Sequence, residues 1–225
     1  MTMTTAIVSR RPTLATPLGV LRTWFECQAG NGLAASAAVC SRSEGGVQRL
    51  VYSHQTRTVE LMRGPLVPRI PTKMSISGCT AALWRVTAHV RLSALRFHCE
   101  WPDPPAGVRG TPNPGEALDA FTWRVGNSVV TVGTEDGEFL SSRARQGAGV
   151  PVGLADELSL STVKYTATGM VVPLSHLEPQ ETVEVHFLVA WSEGHTDESP
   201  STWFAVEQDH KYVVESLKAG RHEAG

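Results

Sequence analysis

The stretch "LRFHCEWP", from Leu95 to Pro102, alternates without interruption between apolar and polar side chains. Arg96, His98 and Glu100 hold its polar positions. Successive side chains of a β-strand point to opposite faces, so a period of two residues predicts a strand with one buried face. We expect Pro102 to end this strand, because proline cannot continue a central β-ladder. The polar face is expected to meet solvent or another subunit.

A second stretch, "VEVHFLVAW" at 183–191, alternates in the same way. Its valines, Phe187 and Trp191 are expected to point inward. The opposite face mixes polar with apolar side chains, which favours a contact between subunits over a solvated surface. This predicted subunit contact consists of Glu184, His186, Leu188 and Ala190. On this interpretation, Leu188→Asp weakens assembly and leaves the monomer folded.

Turn residues separate many further short runs of β-type residues, and we predict eight to ten strands in an all-β sandwich or barrel. "VQRLVYSHQTRTVELM" is typical of two strands around a turn, and Asp136-Gly137 is typical of a hairpin turn. Further strands are predicted in "LSLSTVKYTATG", "MVVPL" and "TWFAV". Helix is predicted only in "GLAASAAVCSR" at 32–42 and in "HKYVVESLKA" at 210–219, where Asp209 provides the cap.

The chain is interpreted as an N-terminal arm, residues 1–19, followed by a single β-sandwich domain, residues 20–225. The arm is small, polar and interrupted by proline. A Pro- and Gly-rich loop at 102–115 is the place where a boundary between two cores would fall. One core and two cores both remain open at this point.

Composition is that of a globular protein, with 41% hydrophobic and 19% charged residues among 225. No run of 18 apolar residues exists, so we expect no membrane contact. The first residues lack a basic region followed by an apolar core, so we do not expect them to act as a secretory signal. None of the four cysteines stands in a CxxC pair, so we expect reduced thiols and synthesis inside the cell.

Charge is unevenly divided along the chain. Residues 1–112 hold 13 basic and five acidic residues, and residues 113–225 hold seven basic and 17 acidic residues. This division suggests a polyanionic partner for the first half, or complementary contacts between copies of the chain. Neutralisation of the two halves inside one fold is the alternative. The candidate nucleic-acid contacts are Arg10, Arg11 and Arg22, since guanidinium groups suit phosphate.

The chain has no GxxxxGK[ST] phosphate loop, GxGxxG dinucleotide turn, GxSxG elbow or HExxH helix, and we assign no catalytic residue and no cofactor. The densest set of metal-ligand types lies in "SEGHTDES" and "EQDH". His195, Asp197 and Glu198 are its candidate ligands. Their spacing matches no known metal cage, so an acidic solvated loop without a metal is the preferred interpretation.

"VRLSALRFHCEWPDPP" resembles an early strand of the jelly-roll coat proteins of small non-enveloped viruses, in which a basic alternating strand ends in a proline-rich loop. The resemblance implies a two-sheet jelly roll that assembles into a shell with copies of itself. It also implies contact with RNA or DNA through Arg10, Arg11 and Arg22, and a place in a virion. The expected function is therefore a non-enzymatic, self-assembling structural subunit.

"LSHLEPQETVEVHFLVAW", from Leu174 to Trp191, is similar to the segment before the sixth strand of fibronectin type III domains. Val183 stands where those domains have tyrosine. This resemblance implies the alternative of a monomeric binding module for a protein or glycan. A third alternative is an enzyme whose site uses His98, His186 or the cluster from Glu193 to His210.

Overall fold

A computed structural model describes residues 12–29, 38–104, 108–193 and 201–219 of the chain. Within these ranges it contains thirteen strands and three α-helices. The strands are β1 (Thr13–Thr16), β2 (Gly19–Ala29), β3 (Ala38–Glu44), β4 (Val47–His54), β5 (Arg57–Pro65), β6 (Gly78–Ala88), β7 (Leu92–Glu100), β8 (Gly110–Pro112), β9 (Leu118–Val125), β10 (Ser128–Glu135), β11 (Lys164–Tyr165), β12 (Gly169–Leu177) and β13 (Thr182–Ser192). The helices are α1 (Gly137–Arg145), α2 (Ser201–Val206) and α3 (His210–Ala219).

The strands form two antiparallel sheets, which confirms the predicted all-β two-sheet sandwich with a short C-terminal helix. A five-stranded sheet has the order β1-β2-β7-β12-β11, and an eight-stranded sheet has the order β3-β4-β5-β6-β13-β10-β9-β8. Strands β3 to β6 follow one another as a meander, whereas a jelly roll is built from two Greek keys. Both sheets take strands from either side of the loop at 102–115.

The main core lies between the two sheets, and one cluster of buried side chains extends from Leu14 to Val189. The apolar face of β7 contributes Leu95, Phe97 and Cys99, all fully buried. Alternation of apolar residues therefore placed this strand correctly. Burying a side chain such as Phe97 contributes about 1.5–3 kcal/mol to folding, and a one-residue shift in register would move this whole face out of the core.

A second, smaller core lies on the opposite face of the eight-stranded sheet, where α2 and α3 cover the strands. Leu188 and Ala190 of β13 pack there with Val206 of α2 and Leu217 of α3. Strand β13 is consequently buried on both of its faces. None of the helices in the described parts of the chain is long and apolar enough to cross a membrane.

One predicted turn and one predicted strand are helical in the structure. Asp136-Gly137 does not form a hairpin turn: Asp136 caps α1 by accepting a hydrogen bond from Phe139 N at 2.8 Å. Leu140 and Ala144, four residues apart, then turn one face of α1 into the core. "TWFAV" lies in α2, because packing on the sheet outweighs the β-propensity of so short a segment.

Other predicted elements are confirmed or shortened. The two strands of "VQRLVYSHQTRTVELM" are β4 and β5, and the last predicted helix is α3, capped by Asp209. The predicted helix at 32–42 is wrong for Ala38–Arg42, which belong to β3, and its earlier residues lie outside the described ranges. "LSLSTVKYTATG" contributes only the two-residue strand β11. Of the predicted arm, the described part includes β1, which pairs with β2.

Candidate functional site

Five charged or titratable side chains meet under α1 and α3, on the helix-covered face of the eight-stranded sheet. We call this group the Glu–His–Arg cluster, and its members are Glu135, Arg143, Glu184, His186 and His210. The side chain of each is at most 11% exposed. Buried charges are costly unless they are paired, so this concentration of them is the most unusual feature of the described chain.

Four separate elements bring the cluster together. Glu184 and His186 lie two residues apart on β13 and so share one face of that strand. Glu135 ends the neighbouring strand β10, and Arg143 lies on α1, which begins two residues later. His210 is the first residue of α3, at a position that Asp209 fixes by accepting a hydrogen bond from Lys211 N at 2.8 Å.

Glu184 is ionised and paired on both of its oxygens. Its Oε1 accepts a hydrogen bond from Arg85 Nε at 2.7 Å, and its Oε2 lies 3.0 Å from His210 Nε2. Burial raises the pKa of Glu184, but the hydrogen bond from His210 and the charge of Arg85 lower it more, to about 2. The carboxylate therefore stays negative throughout the physiological pH range.

The two contacts of His210 Nε2 make opposite demands on its tautomer. The carboxylate of Glu184, 3.0 Å away, only accepts hydrogen bonds, whereas the guanidinium of Arg143, whose Nη2 lies 2.9 Å away, only donates them. Arg143 Nη2 also donates to the backbone oxygen of Glu184 at 3.2 Å. The other ring nitrogen, Nδ1 of His210, lies 3.1 Å from Nδ1 of His186.

His186 is the innermost member of the cluster, with 1% of its surface exposed. Burial, followed by the electrostatic influence of the neighbouring His210 and Arg143 side chains, holds the pKa of His186 well below its usual range. Its Nδ1 lies 3.7 Å from Oε2 of Glu135, which in turn accepts a hydrogen bond from Arg143. His186 is thus a neutral imidazole between a carboxylate and a second imidazole.

A pocket of about 610 Å³ opens beside the cluster, and Glu184 forms part of its wall. Gly149 passes close to this carboxylate with φ of +70°, and a Cβ atom there would lie 2.7 Å from Glu184 Oε2. Only glycine fits both the backbone conformation and the space. The pocket wall also includes Arg85, Thr87, Pro151, Val152 and Thr182.

The predicted subunit contact on β13 is not an exposed face, and that part of the expectation is wrong. Glu184 is 7%, His186 1%, and Leu188 and Ala190 0% exposed. The first two belong to the Glu–His–Arg cluster, and the last two pack against α2 and α3. The alternation was interpreted correctly, but the sequence did not reveal that helices of the same chain cover the second face.

Of the predicted nucleic-acid and metal residues, Arg22 is the one that lies within the described ranges. Arg10 and Arg11 lie outside the described residues, and so do His195, Asp197 and Glu198. Arg22 lies on β2, half-buried, opposite Glu100 of β7.

The polar face of β7 is mainly a packed surface of the five-stranded sheet. His98 is 9% exposed, and its Nδ1 lies 2.9 Å from Glu100 Oε1. Thr168 donates to the other oxygen of Glu100 at 2.9 Å. Burial raises the pKa of Glu100, but the hydrogen bonds from His98 and Thr168 lower it more, and its pKa falls below the ordinary value. Only Arg96 of the three polar residues is exposed.

Sequence reasoning found part of the cluster. His186 and His210 both belong to the enzyme alternative, but in separate places; Glu135 and Arg143 of the cluster, and Arg85 of the pocket wall, were missed. One signal was available: Glu184 and His186 share a strand face with Leu188 and Ala190, which are residue types often found fully buried.

Comparisons with known proteins identify no family for this chain. No protein-family model matches it, and no curated protein matches its sequence. Among solved structures, it is similar to one described as a "putative kojibiose phosphorylase from human microbiome", with a TM-score of 0.43 and 9% sequence identity. The match covers 97% of this chain and 31% of the other. A likeness at this level carries no argument about function.

Proposed function

We propose that the chain is a binding module whose pocket beside Glu184 takes a neutral, hydroxyl-bearing small molecule such as a saccharide. The observation that carries this proposal is the pairing of Arg85 with Glu184 in the pocket wall. A guanidinium only donates hydrogen bonds and a carboxylate only accepts them. Side by side, they suit a pair of neighbouring hydroxyl groups, of which one accepts and the other donates.

Both side chains have capacity left for a ligand. Arg85 has five N–H donors, its contacts with Glu184 involve Nε and Nη2, and its side chain is 40% exposed. Glu184 has about four lone-pair positions, and its two oxygens have one arginine and one histidine as neighbours. The hydroxyl groups of Thr87 and Thr182 lie in the same wall, 2.9 Å from each other.

The pocket also has an apolar side, which Pro151 and Val152 form. Val152 is 69% exposed, a high value for an apolar side chain. A sugar ring combines a C–H face with a rim of hydroxyl groups, so these residues and the Arg85–Glu184 pair would meet its two kinds of surface. Small-molecule sites commonly combine apolar walls with a few oriented polar groups.

The test is ligand-observed NMR with glucose, galactose and maltose, and with glucuronate and glucosamine as charged counterparts. Saturation transfer to a neutral sugar that is lost in Arg85→Gln supports the proposal. Arg49→Gln is the matched control, because Arg49 is 41% exposed and is ion-paired with Glu60, yet lies outside the pocket wall. No transfer to any of the five sugars, or transfer unaffected by Arg85→Gln, contradicts it.

A self-assembling subunit with nucleic-acid contact is the second candidate, and the edge strand β3 favours it. Within the described chain β3 pairs only with β4, and such an edge can accept another strand. Arg42 of β3 is exposed and lies directly opposite Arg49. Like charges in this position repel each other, and the ion pair of Arg49 with Glu60 relieves this repulsion only in part, which leaves Arg42 as the guanidinium that can attract an external anion.

Light scattering at low and high salt, with the 260/280 nm absorbance ratio of the same peak, tests this second candidate. A large species that carries nucleic acid and dissociates in salt supports it. A monomer free of nucleic acid at both salt concentrations contradicts it and leaves the binding module.

A further inference from the structure

We infer that Glu135, His186 and His210 form a binding site for one divalent transition-metal ion, such as Zn²⁺, beneath the pocket. One donor atom of each residue lies within 4.8 Å of the donor atoms of the other two. All three residues are buried. This site goes beyond the proposed sugar pocket, and its existence does not depend on a sugar being bound.

The distances fit a tetrahedral ion. With metal–ligand bonds of about 2.0–2.1 Å, two ligands of a tetrahedral Zn²⁺ lie about 3.3 Å apart. The two Nδ1 atoms of His186 and His210 are 3.1 Å apart, and His186 Nδ1 is 3.7 Å from Glu135 Oε2. These two distances are within a few tenths of an ångström of that spacing, and the donor atoms of His210 and Glu135 lie within 4.8 Å of each other.

The facing nitrogens also fit a metal. Nδ1 of His186 and Nδ1 of His210 lie 3.1 Å apart. Two imidazole nitrogens that face each other at this distance share one hydrogen bond at most, and a cation between two neutral rings satisfies both lone pairs.

Neighbouring groups orient the ligands as they do in known metal sites. Metal-binding histidines commonly donate their other N–H to a carboxylate, which fixes the ring and makes it more basic. Glu184 has this position relative to His210, with its Oε2 3.0 Å from Nε2. Arg143 likewise donates a hydrogen bond to the carboxylate of Glu135.

Arg143 offers an alternative to a metal ion as a source of positive charge in the cluster. Its guanidinium supplies positive charge to the cluster, and together with Arg85 it balances the charges of Glu135 and Glu184. The cluster without a metal would therefore be a closed ion-pair network. Metal binding and a closed network make opposite predictions for the chain after dialysis against a chelator.

The experiment is a titration of the chelator-dialysed full chain with Co²⁺, followed by its visible absorption, and then displacement of Co²⁺ by Zn²⁺. We expect one Co²⁺ per chain, with the intense bands of a four-coordinate ion. His210→Gln and Glu135→Gln should each weaken binding by about 100-fold or more, since each removes a ligand. His176→Ala is the control, because His176 lies 3.8 Å from Glu157 and 3.9 Å from Glu178 at the surface.

The outcomes separate the alternatives. Binding that is lost in both cluster variants and kept in His176→Ala supports the site. No bound Co²⁺, or binding that the cluster variants retain, overturns it and leaves a closed ion-pair network. Circular dichroism checks that each variant folds. Should the variants fail to fold, X-ray absorption of the Zn²⁺-loaded wild-type chain decides, because the site requires two imidazole ligands.

Discussion

The imidazole of His98 lies flat against the indole of Trp24, with ring centroids 4.4 Å apart and ring planes 5° apart. The two residues are opposite each other on β7 and β2. Glu26 accepts a hydrogen bond from the indole N–H at 2.8 Å, and Glu100 lies 2.9 Å from His98 Nδ1. The polar positions of "LRFHCEWP" thus include a stacked, hydrogen-bonded pair on the outer face of the five-stranded sheet.

We therefore expect His98→Ala to lower the free energy of unfolding by about 1–2 kcal/mol, through loss of the stack and of the contact with Glu100. Arg96→Ala, an exposed change on the same strand face, should alter it by no more than about 0.5 kcal/mol. Urea unfolding followed by tryptophan fluorescence measures both. Equal effects of the two changes would mean that the stack contributes little to stability.

Leu188 is fully buried between β13 and the helices α2 and α3. Leu188→Ala should cost about 2–5 kcal/mol, and Leu188→Asp should prevent folding, because it places an unpaired charge in the core. Leu160→Asp is the control, since Leu160 is 61% exposed and the change should be nearly neutral. Circular dichroism and gel filtration test this. A folded Leu188→Asp monomer that no longer assembles would instead support the subunit contact predicted from the sequence.

Asp119 is a buried carboxylate whose Oδ1 accepts a hydrogen bond from the Tyr165 hydroxyl at 2.5 Å. Its Oδ2 has no hydrogen-bond partner among the described residues. Burial raises the pKa of Asp119, the hydrogen bond from Tyr165 lowers it, and the charge of Asp136 raises it; the net shift is upward. The ionised form is therefore disfavoured in the folded chain.

A carboxyl group whose pKa is raised by folding stabilises the fold at pH below its unfolded pKa, and this stabilisation is lost as the pH rises through its folded pKa. Asp119→Asn keeps an acceptor for Tyr165 and never ionises. Relative to wild type, the variant should therefore gain stability between pH 3.5 and pH 7.5 in urea unfolding. Asp156→Asn, at a side chain that is 98% exposed, should show no such trend. If the difference in stability between Asp119→Asn and wild type stays constant with pH, the pKa of Asp119 is not raised by folding.

Gly137, the first residue of α1, packs against the backbone of Ser159, and a Cβ atom there would lie 1.7 Å from the Ser159 oxygen. Helix propensity alone predicts that Gly137→Ala stabilises the chain by about 1 kcal/mol. The contact predicts the opposite, a loss of about 1–3 kcal/mol. Gly153→Ala is the matched control, because no heavy atom lies within 4 Å of its added Cβ. Thermal unfolding of both variants distinguishes packing from propensity.

The alternation of apolar and polar residues was enough to predict β7, β13 and the two-sheet sandwich. A strand that buries one face must repeat every two residues, and this local rule is visible in the sequence. Asp209 and the residues after it predicted α3 for a similar reason, because a cap and a helical face are local features. The signals that predicted these elements lie in residues close together in the sequence.

Asp136-Gly137 and "TWFAV" show where local rules fail. An Asp-Gly pair suits both a hairpin turn and a helix start, and the burial of Leu140 and Ala144 on the core decides between them. The short segment at 202–206 is helical because its residues pack on the eight-stranded sheet. Only tertiary contacts carry that information.

The candidate site depends on tertiary structure to a greater degree than the individual strands and helices do. Glu184 and His186 are close in sequence, but Glu135, Arg143 and His210 come from three other elements. Helices α2 and α3 bury Leu188, which looked like a contact between subunits when one strand was considered alone. The sequence by itself determined which side chains share a strand face, because that follows from backbone geometry. Tertiary structure alone decided what covers each face, because that depends on where distant segments pack.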